Sequence, residues 1–318
     1  MTWIFVATLS YLINAGVYVA DKFMLSKKVH SSITYAFFVG IWSIFNFVLL
    51  PLDWYIPTPG WLLIELAAGG LFLFTIIVWY KALHQSEATR VVPIVGCLTP
   101  IFTLLLSVIF LGDGLGAKHL FSFSVLMVGG GLISIKQTNL HLIDRVVMRV
   151  QQVLGHIHAD YRPTRRLLIN STLSAFLFAA YAVLMKFIYT HEPFLGSFVW
   201  SRLGTFIGVI VIFSIPVYRK AIAKHQANAK QQTNLAFFLS VRLLAAAAFI
   251  LLNWAISLGD VAMVNVLQGV QYLFLLIIVL VMSVKYPRVY KEEVGSGVMM
   301  QKLAGVALVS LGLYILIS

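Results

Sequence analysis

The chain has 318 residues, of which 60% are hydrophobic and only 11% charged, and its formal net charge is +12. Water-soluble domains have about 45–50% apolar and about 25% charged residues, so this composition, with a mean hydropathy of +0.93, excludes a soluble globular protein. The single cysteine, Cys97, excludes an internal disulfide and a cysteine-based metal site, and no motif indicates a cofactor.

Apolar runs bounded by charge, proline or glycine predict ten membrane-spanning helices, since about 20 apolar residues cross a bilayer. The first run lacks a preceding basic segment and is too long for the apolar part of a signal peptide, so we expect an uncleaved span. The predicted spans are 3–24, 32–52, 60–82, 88–111, 117–136, 167–189, 194–216, 234–258, 261–284 and 299–318.

Positive charge orients these spans. Most of the 23 lysines and arginines lie in odd-numbered loops or at their margins, whereas the even loops hold Lys118, with Lys186 at a helix end beside one. Because cytoplasmic loops are enriched in Lys and Arg, we expect odd loops in the cytoplasm and both termini outside a plasma or inner membrane. The charge implies no nucleic-acid partner. The expected partners are a small-molecule substrate and the lipid bilayer, and the protein is a monomer or a homodimer.

The longest segment between spans, 137–166, is basic. Leu142, Val146, Val150 and Leu154 recur at helical spacing with arginines between them. This pattern is typical of an amphipathic helix lying on an anionic membrane surface. A solvated linker is an equally good interpretation.

Two stretches of the first half match stretches of the second. TLSYLINAGVYVADKF (8–23) aligns with TLSAFLFAAYAVLMKF (172–187) at an offset of 164, and WYKALHQSEATRVV (79–92) aligns with LNWAISLGDVAMVN (252–265) at an offset of 173. Each unit, 1–136 and 167–318, then holds five spans, so the second enters the membrane from the opposite side. The predicted fold class is an all-α integral membrane protein of ten transmembrane helices in two inverted-topology repeats, which in transporters place the substrate site near the midplane.

The segment 80–134 resembles part of an EamA-type repeat of the drug/metabolite transporter superfamily. The marks are Ala82-Leu83 before a short loop, Pro100, an acidic residue after Phe110-Leu111-Gly112, and the glycine-rich run Gly129–Gly131. Asp113 stands where the family usually has glutamate, and the equivalent in the second half is displaced into KYPRVYKEEVG. The resemblance covers both repeats, more weakly over 250–318, and implies a ten-helix carrier of small metabolites.

Two arginines lie inside predicted spans, Arg202 and Arg242, each about 12 Å from its own side at about 1.5 Å per residue. Ionisable residues within a bilayer are costly and mark candidate functional sites, and a guanidinium suits carboxylate or phosphate. We expect both to hold an anionic group of the substrate. The alternative is a structural role, bonding helix carbonyls, a hydroxyl or Glu65.

Further polar residues are candidates for the same site. Span nine carries amides at i, i+3 and i+6, and such a stripe faces the interior of a helix bundle. Interhelical bonding without a ligand is the alternative for this stripe. The predicted substrate-binding residues are Arg202, Arg242, Asn265, Gln268, Gln271, Asn14, Tyr18 and Tyr181, with Trp42, Trp79, Trp200 and Trp254 as possible walls.

Buried carboxylates carry protons in many transporters, and Glu65 is the one plausible proton-coupling residue here; exchange or facilitated diffusion needs none. We expect Pro93 and Pro100 to kink or break span four, and Lys186 to extend to the membrane interface.

The predicted function is a secondary transporter of a small metabolite, such as an amino acid or organic acid, that bears an anionic group. Alternatives are a membrane receptor or scaffold, or an intramembrane aspartyl protease using Asp113 and Asp260; we expect no enzyme.

Overall fold

The computed structural model describes residues 2–24, 32–85, 88–112, 114–134, 165–220, 222, 235–285 and 296–317. These residues are mostly helical, and no strand occurs among them. Asp113 and nearly all of the basic linker 137–166 lie outside the described residues.

The described helices follow the apolar runs closely. The second helix tightens into a 3-10 segment, Trp42–Leu52, where the sequence predicts one continuous span. The helices are α1 (Thr2–Met24), α2 (Ser32–Ile41), α3 (Pro59–Gln85), α4 (Ala88–Phe110), α5 (Ala117–Ser134), α6 (Arg165–His191), α7 (Phe194–Ser214), α8 (Leu235–Leu258), α9 (Val261–Val266), α10 (Gln268–Lys285) and α11 (Ser296–Ile317).

Six apolar stretches among the described residues are long enough to cross a membrane. Four shorter apolar stretches accompany them, at Ala36–Leu52, Ile94–Phe110, Ala117–Ile133 and Gln301–Leu316. The prediction of an all-helical, multi-pass membrane protein is confirmed. The count of ten spans stays a prediction.

The break in a spanning helix lies elsewhere than expected. α4 is continuous through Pro93 and Pro100, so a break at either proline is wrong; a helix keeps a proline where neighbouring groups satisfy the freed backbone. The predicted ninth span is interrupted instead. Its two parts, α9 and α10, are separated by a tight turn at Leu267, whose carbonyl accepts from the Val270 amide at 2.9 Å.

The helices pack in pairs that join the two halves of the chain. α5 packs along α11, α1 packs against α8 and α10, and α3 and α4 both pack against α6. α3 also packs along α7, where a Cβ on Gly69 would overlap Ser201 of α7 and one on Gly204 would overlap Leu66 of α3. These two glycines let the α3 and α7 backbones touch.

One face of the bundle gathers helix ends that are far apart in sequence. Trp3 packs on Gly259, and Tyr55 packs on Gly196. The Lys186 ammonium donates to the Gly259 carbonyl at 2.7 Å and to that of Ser257 at 3.2 Å, so it caps the end of α8. We call this face the outer face, after its predicted orientation.

Candidate functional site

A cavity of about 400 Å³ lies between the helices of the two halves. Its walls come from α1, α2 with its 3-10 extension, α3, α4 and α6 to α10. All eight residues predicted to bind substrate line it: Asn14, Tyr18, Tyr181, Arg202, Arg242, Asn265, Gln268 and Gln271. Sequence positions spread over six helices are therefore brought to one place, and none of the described lining residues is Asp or Glu.

Arg202 is held in a cage of aromatic rings. Its side chain is only 3% exposed, and its Cζ atom lies 4.3 Å from the ring centroid of Phe72 and 4.9 Å from that of Phe249. The rings of Phe198 and Tyr181 follow at 5.3 and 5.6 Å. Ring faces attract a guanidinium and offset part of its desolvation.

One hydrogen-bond chain fixes the orientation of Arg202. Its Nη2 donates to the Tyr181 hydroxyl at 2.7 Å, and that hydroxyl donates to Asn253 Oδ1 at 3.3 Å. Tyr189 donates to the same oxygen at 3.1 Å. Arg202 Nε makes no hydrogen bond, and no carboxylate pairs with Arg202 among the described residues. A hydroxyl partner was one of the predicted alternatives, whereas pairing with Glu65 is absent.

Arg242 of α8 also lines the cavity and is half-buried. Its neighbours on the same helix wall are small, since Ala245 and Ala246 also line the cavity. α8 makes no extensive packing with α2 or the 3-10 segment among the described residues. The cavity therefore extends between these elements, with Arg242 on one side and Trp42, Ser43 and Asn46 on the other.

The amide stripe lies where the predicted ninth span breaks. Asn265 Nδ2 donates to Thr103 Oγ1 at 2.8 Å, so one of these amides has an interhelical partner. Gln271 is 2% exposed and its Nε2 makes no hydrogen bond. Gln268 completes the stripe at the turn. A buried amide donor without a partner is costly, and a ligand oxygen in the cavity would satisfy it.

On the opposite wall, α1 contributes Asn14 and Tyr18, and Tyr18 is 46% exposed, so the cavity reaches the surface of the bundle there. Of the four tryptophans predicted as possible cavity walls, Trp42 and Trp79 line the cavity. Trp200 instead donates to the Tyr55 carbonyl at 3.0 Å, and Trp254 is 43% exposed.

Sequence reasoning missed several lining residues, among them Asn253, Phe72 and Phe249. Asn253 lies 173 positions after Tyr80, and both line the cavity. The repeat offset was thus the signal that could have identified Asn253. Phe72 and Phe249 also lie 173 positions from lining residues, Ala245 and Ile76, but as apolar residues of a span they resemble many others.

Glu65 is fully buried and does not line the cavity. Asp260 caps α9, accepting from the Met263 amide at 2.8 Å. An N-cap of this kind is a structural role.

Residues 1–135 match the model of the EamA-like transporter family. A crystal structure of a protein that is 13% identical in sequence aligns over 99% of this chain and 96% of its own, with a TM-score of 0.65, so the whole chain shares a fold with a solved protein. No curated protein matches the chain. The predicted EamA-type resemblance is confirmed over residues 1–135.

Proposed function

We propose, from the membership of residues 1–135 in the EamA-like transporter family, that the chain is a secondary transporter of a small anionic metabolite. The substrate is an amino acid, an organic acid or a similar molecule, and it crosses a cell membrane by alternating access between two inverted repeats. One observation carries the anionic class: both intramembrane arginines line one cavity in which no described lining residue is acidic.

The charge balance of the cavity supports an anionic substrate. A buried charge is strongly destabilising unless another charge pairs with it, and among the described residues the contacts of the Arg202 guanidinium are four ring faces and one hydroxyl. A guanidinium offers a planar set of donors that matches a carboxylate or phosphate. We infer that the substrate's anionic group binds on the arginine side of the cavity and that the amides of Gln268 and Gln271 bind its remaining polar atoms.

The repeat offsets also support the proposal. Residues that line the cavity occur in pairs separated by the offsets found in the sequence. Pairs 164 apart are Asn14 with Phe178, Val17 with Tyr181, and Tyr18 with Ala182; pairs 173 apart are Phe72 with Ala245, Ile76 with Phe249, Trp79 with Leu252, Tyr80 with Asn253, and Val95 with Gln268. Two related units that contribute equivalent positions to one cavity are typical of repeat transporters.

The packing of the helices favours alternating access. Under the repeat relation α1 corresponds to α6 and α3 to α8, so the α1–α8 contact and the α6–α3 contact are equivalents, and both are present. The α3–α7 contact is tight, whereas its equivalent between α8 and α2 is not formed among the described residues. If the α3–α7 contact separated and the α8–α2 contact formed, the cavity would open on one side and close on the other.

The test is reconstitution in liposomes with a panel of labelled amino acids, organic acids, phosphate esters and cationic drugs. The proposal predicts saturable uptake of one or more anionic solutes. Uptake of cations alone would exclude the anionic site. Absence of uptake of every solute, with the protein folded, would favour the receptor or scaffold alternative. Coupling by exchange or facilitated diffusion fits a cavity without an acidic residue, and the part that Glu65 plays is argued next.

A further inference from the structure

Three polar side chains whose oxygen atoms are buried and make no hydrogen bond of good geometry lie together near the outer face. Glu65 of α3 is 0% exposed, and neither of its carboxyl oxygens makes a hydrogen bond of good geometry, although the Ser197 and Tyr55 hydroxyls lie near them. The buried Ser197 hydroxyl and the Tyr55 hydroxyl also make none. Buried polar groups are almost always satisfied, so a set of three unsatisfied groups calls for a physical explanation.

Among the described residues, no lysine or arginine contacts the Glu65 carboxyl; Arg202 of α7 lies near Tyr189. Ser197, Glu192 and Tyr55 face its carboxyl, and Tyr189 of α6 lies within electrostatic range. Two further titratable groups lie near this end of α3: Asp53, which accepts from the Gly196 amide at 3.3 Å, and His191, which bonds the Phe187 carbonyl at 2.8 Å beside the ring of Trp61. Burial and the carboxyls of Glu192 and Glu65 raise the pKa of Tyr55, so its phenol stays protonated.

The cluster lies in the contact that closes the outer face. Glu65 and Gly69 are four residues apart, hence on one face of α3, and Gly69 is where α3 touches Ser201 of α7. Above this crossing the Tyr55 side chain packs on Gly196. We call Tyr55, Glu65, Ser197 and the Gly69–Gly204 crossing the outer gate.

We propose that Glu65 is a proton-binding site of the outer gate, with its carboxyl protonated while the gate is closed and ionised once the gate opens to outer water. This inference rests on the alternating access of the proposed function. An ionised carboxylate buried without a partner costs several kcal/mol, whereas a neutral carboxyl can donate to the Ser197 or Tyr55 hydroxyl. Opening exposes the carboxyl to water, and the proton leaves to the outer solution.

The sign of the pH effect follows from linkage. The closed gate holds one proton more than the open gate, so a lower outer pH stabilises the closed gate and a higher outer pH favours opening. One proton limits the change in the open-to-closed ratio to about tenfold per pH unit. Because Glu65 does not line the substrate cavity, its proton returns to the outer side and does not accompany the substrate.

The test measures opening directly, with a cysteine placed inside the gate. In a Cys97→Ala background, Ser201→Cys puts a thiol at the α3–α7 crossing, and Thr58→Cys puts one at an exposed position on the outer face. Proteoliposomes in which the outer face of the protein is on the outside of the vesicle are treated with a membrane-impermeant maleimide over a range of outer pH. The ratio of the two labelling rates removes the intrinsic pH dependence of the thiols.

We expect this ratio to rise with outer pH when Glu65 is present, and to lie low and flat in Glu65→Gln, whose neutral amide replaces the protonated carboxyl. Glu192→Gln changes the other carboxyl near Tyr55 and should keep the pH dependence. If Glu65→Gln does not fold, Glu65→Asp is measured in its place. Aspartate keeps an ionisable carboxyl at this position, so the labelling ratio of this variant must still rise with outer pH.

The same rise in Glu65→Gln as in the parent would overturn the proposal, and so would a flat ratio in the parent. Substrate uptake that moves protons into the lumen with the parent but not with Glu65→Gln would also overturn it, because Glu65 would then carry protons across. Failure of the proposed transporter function gives a distinguishable result, because neither the parent nor any variant would then take up a solute.

Discussion

At the scale of single residues, the charge of Arg202 is stabilised by rings and a phenol where a soluble protein would place a carboxylate. Four aromatic rings lie within 5.6 Å of its Cζ atom, and Tyr181 is its hydrogen-bond partner. This arrangement holds the guanidinium in place, and no carboxylate pairs with it in the part of the chain that the structure describes. The interaction between Tyr181 and Arg202 is accordingly the part of the site that a single substitution tests best.

Tyr181→Phe removes the hydroxyl that accepts from Arg202 and keeps the ring. Hydrogen bonds to charged groups contribute about 1.5–3 kcal/mol, so we expect the KM for an anionic substrate to rise by about tenfold or more. Tyr189→Phe is the matched control, because it loses a bond to the same Asn253 oxygen without touching Arg202. Equal KM values for the two variants would contradict a role for Tyr181 in positioning the arginine.

Arg202→Gln and Arg242→Gln each remove one cavity cation. We expect either change to abolish uptake of anionic substrates, because the anionic group then loses a charge-assisted partner. Arg166→Gln, an exposed position at the start of α6, should transport normally. Size-exclusion chromatography in detergent checks folding, and folded variants that transport like the parent would make both arginines structural.

At the scale of helices, α3 and α7 form the closed contact of the bundle. The approach depends on glycine, since a Cβ on Gly69 would overlap the backbone of α7, whereas one on the neighbouring Gly70 meets no atom within 4 Å. Gly69 therefore lies in the contact with α7 and the adjacent Gly70 faces open space, so alanine at Gly70 is a control for alanine at Gly69.

Gly69→Ala should destabilise the protein and Gly70→Ala should not. Overpacking of a close contact costs about 1–3 kcal/mol, which lowers the Tm of thermal unfolding in detergent, while alanine at Gly70 gains helix propensity. The two Tm values are compared on protein purified in parallel. Equal Tm values would show that α3 and α7 are not held together at Gly69.

The elements differ in how far sequence predicts them. Helix positions and the meeting of the arginines with the amide stripe could be predicted, because polar groups in a bilayer turn towards the bundle interior. The 3-10 segment after Ile41 and the turn at Leu267 could not, since apolar runs do not encode where a helix tightens or breaks. The cage of Arg202 depends on contacts between separate helices, and the groups near Glu65 include Tyr55 from a loop, so neither has a periodic signal.

At the scale of the whole molecule, the outer gate is closed and the cavity lies beneath it, lined by both halves of the chain. Trp3 packs on Gly259 and Tyr55 on Gly196 at the closed face, and the half-exposed Tyr18 marks where the cavity reaches the surface. Orientation in the membrane decides which solution has access to the substrate in this conformation.

Orientation has a direct test. The distribution of Lys and Arg predicts both termini outside the cell, and an epitope tag on either terminus should bind antibody on intact cells. A tag inserted near residue 225, in a predicted cytoplasmic loop, should bind antibody only after permeabilisation. The reverse pattern would place the outer face in the cytoplasm.

The most direct test of the central claim is counterflow in proteoliposomes with an anionic substrate found in the uptake screen. Unlabelled substrate inside the lumen should accelerate entry of labelled substrate from outside, because a site that alternates between two faces returns faster when loaded, and Arg202→Gln should abolish this effect. Entry that neither saturates nor responds to luminal substrate would contradict alternating access. Acceleration that persists unchanged in Arg202→Gln and Arg242→Gln would contradict the anionic site.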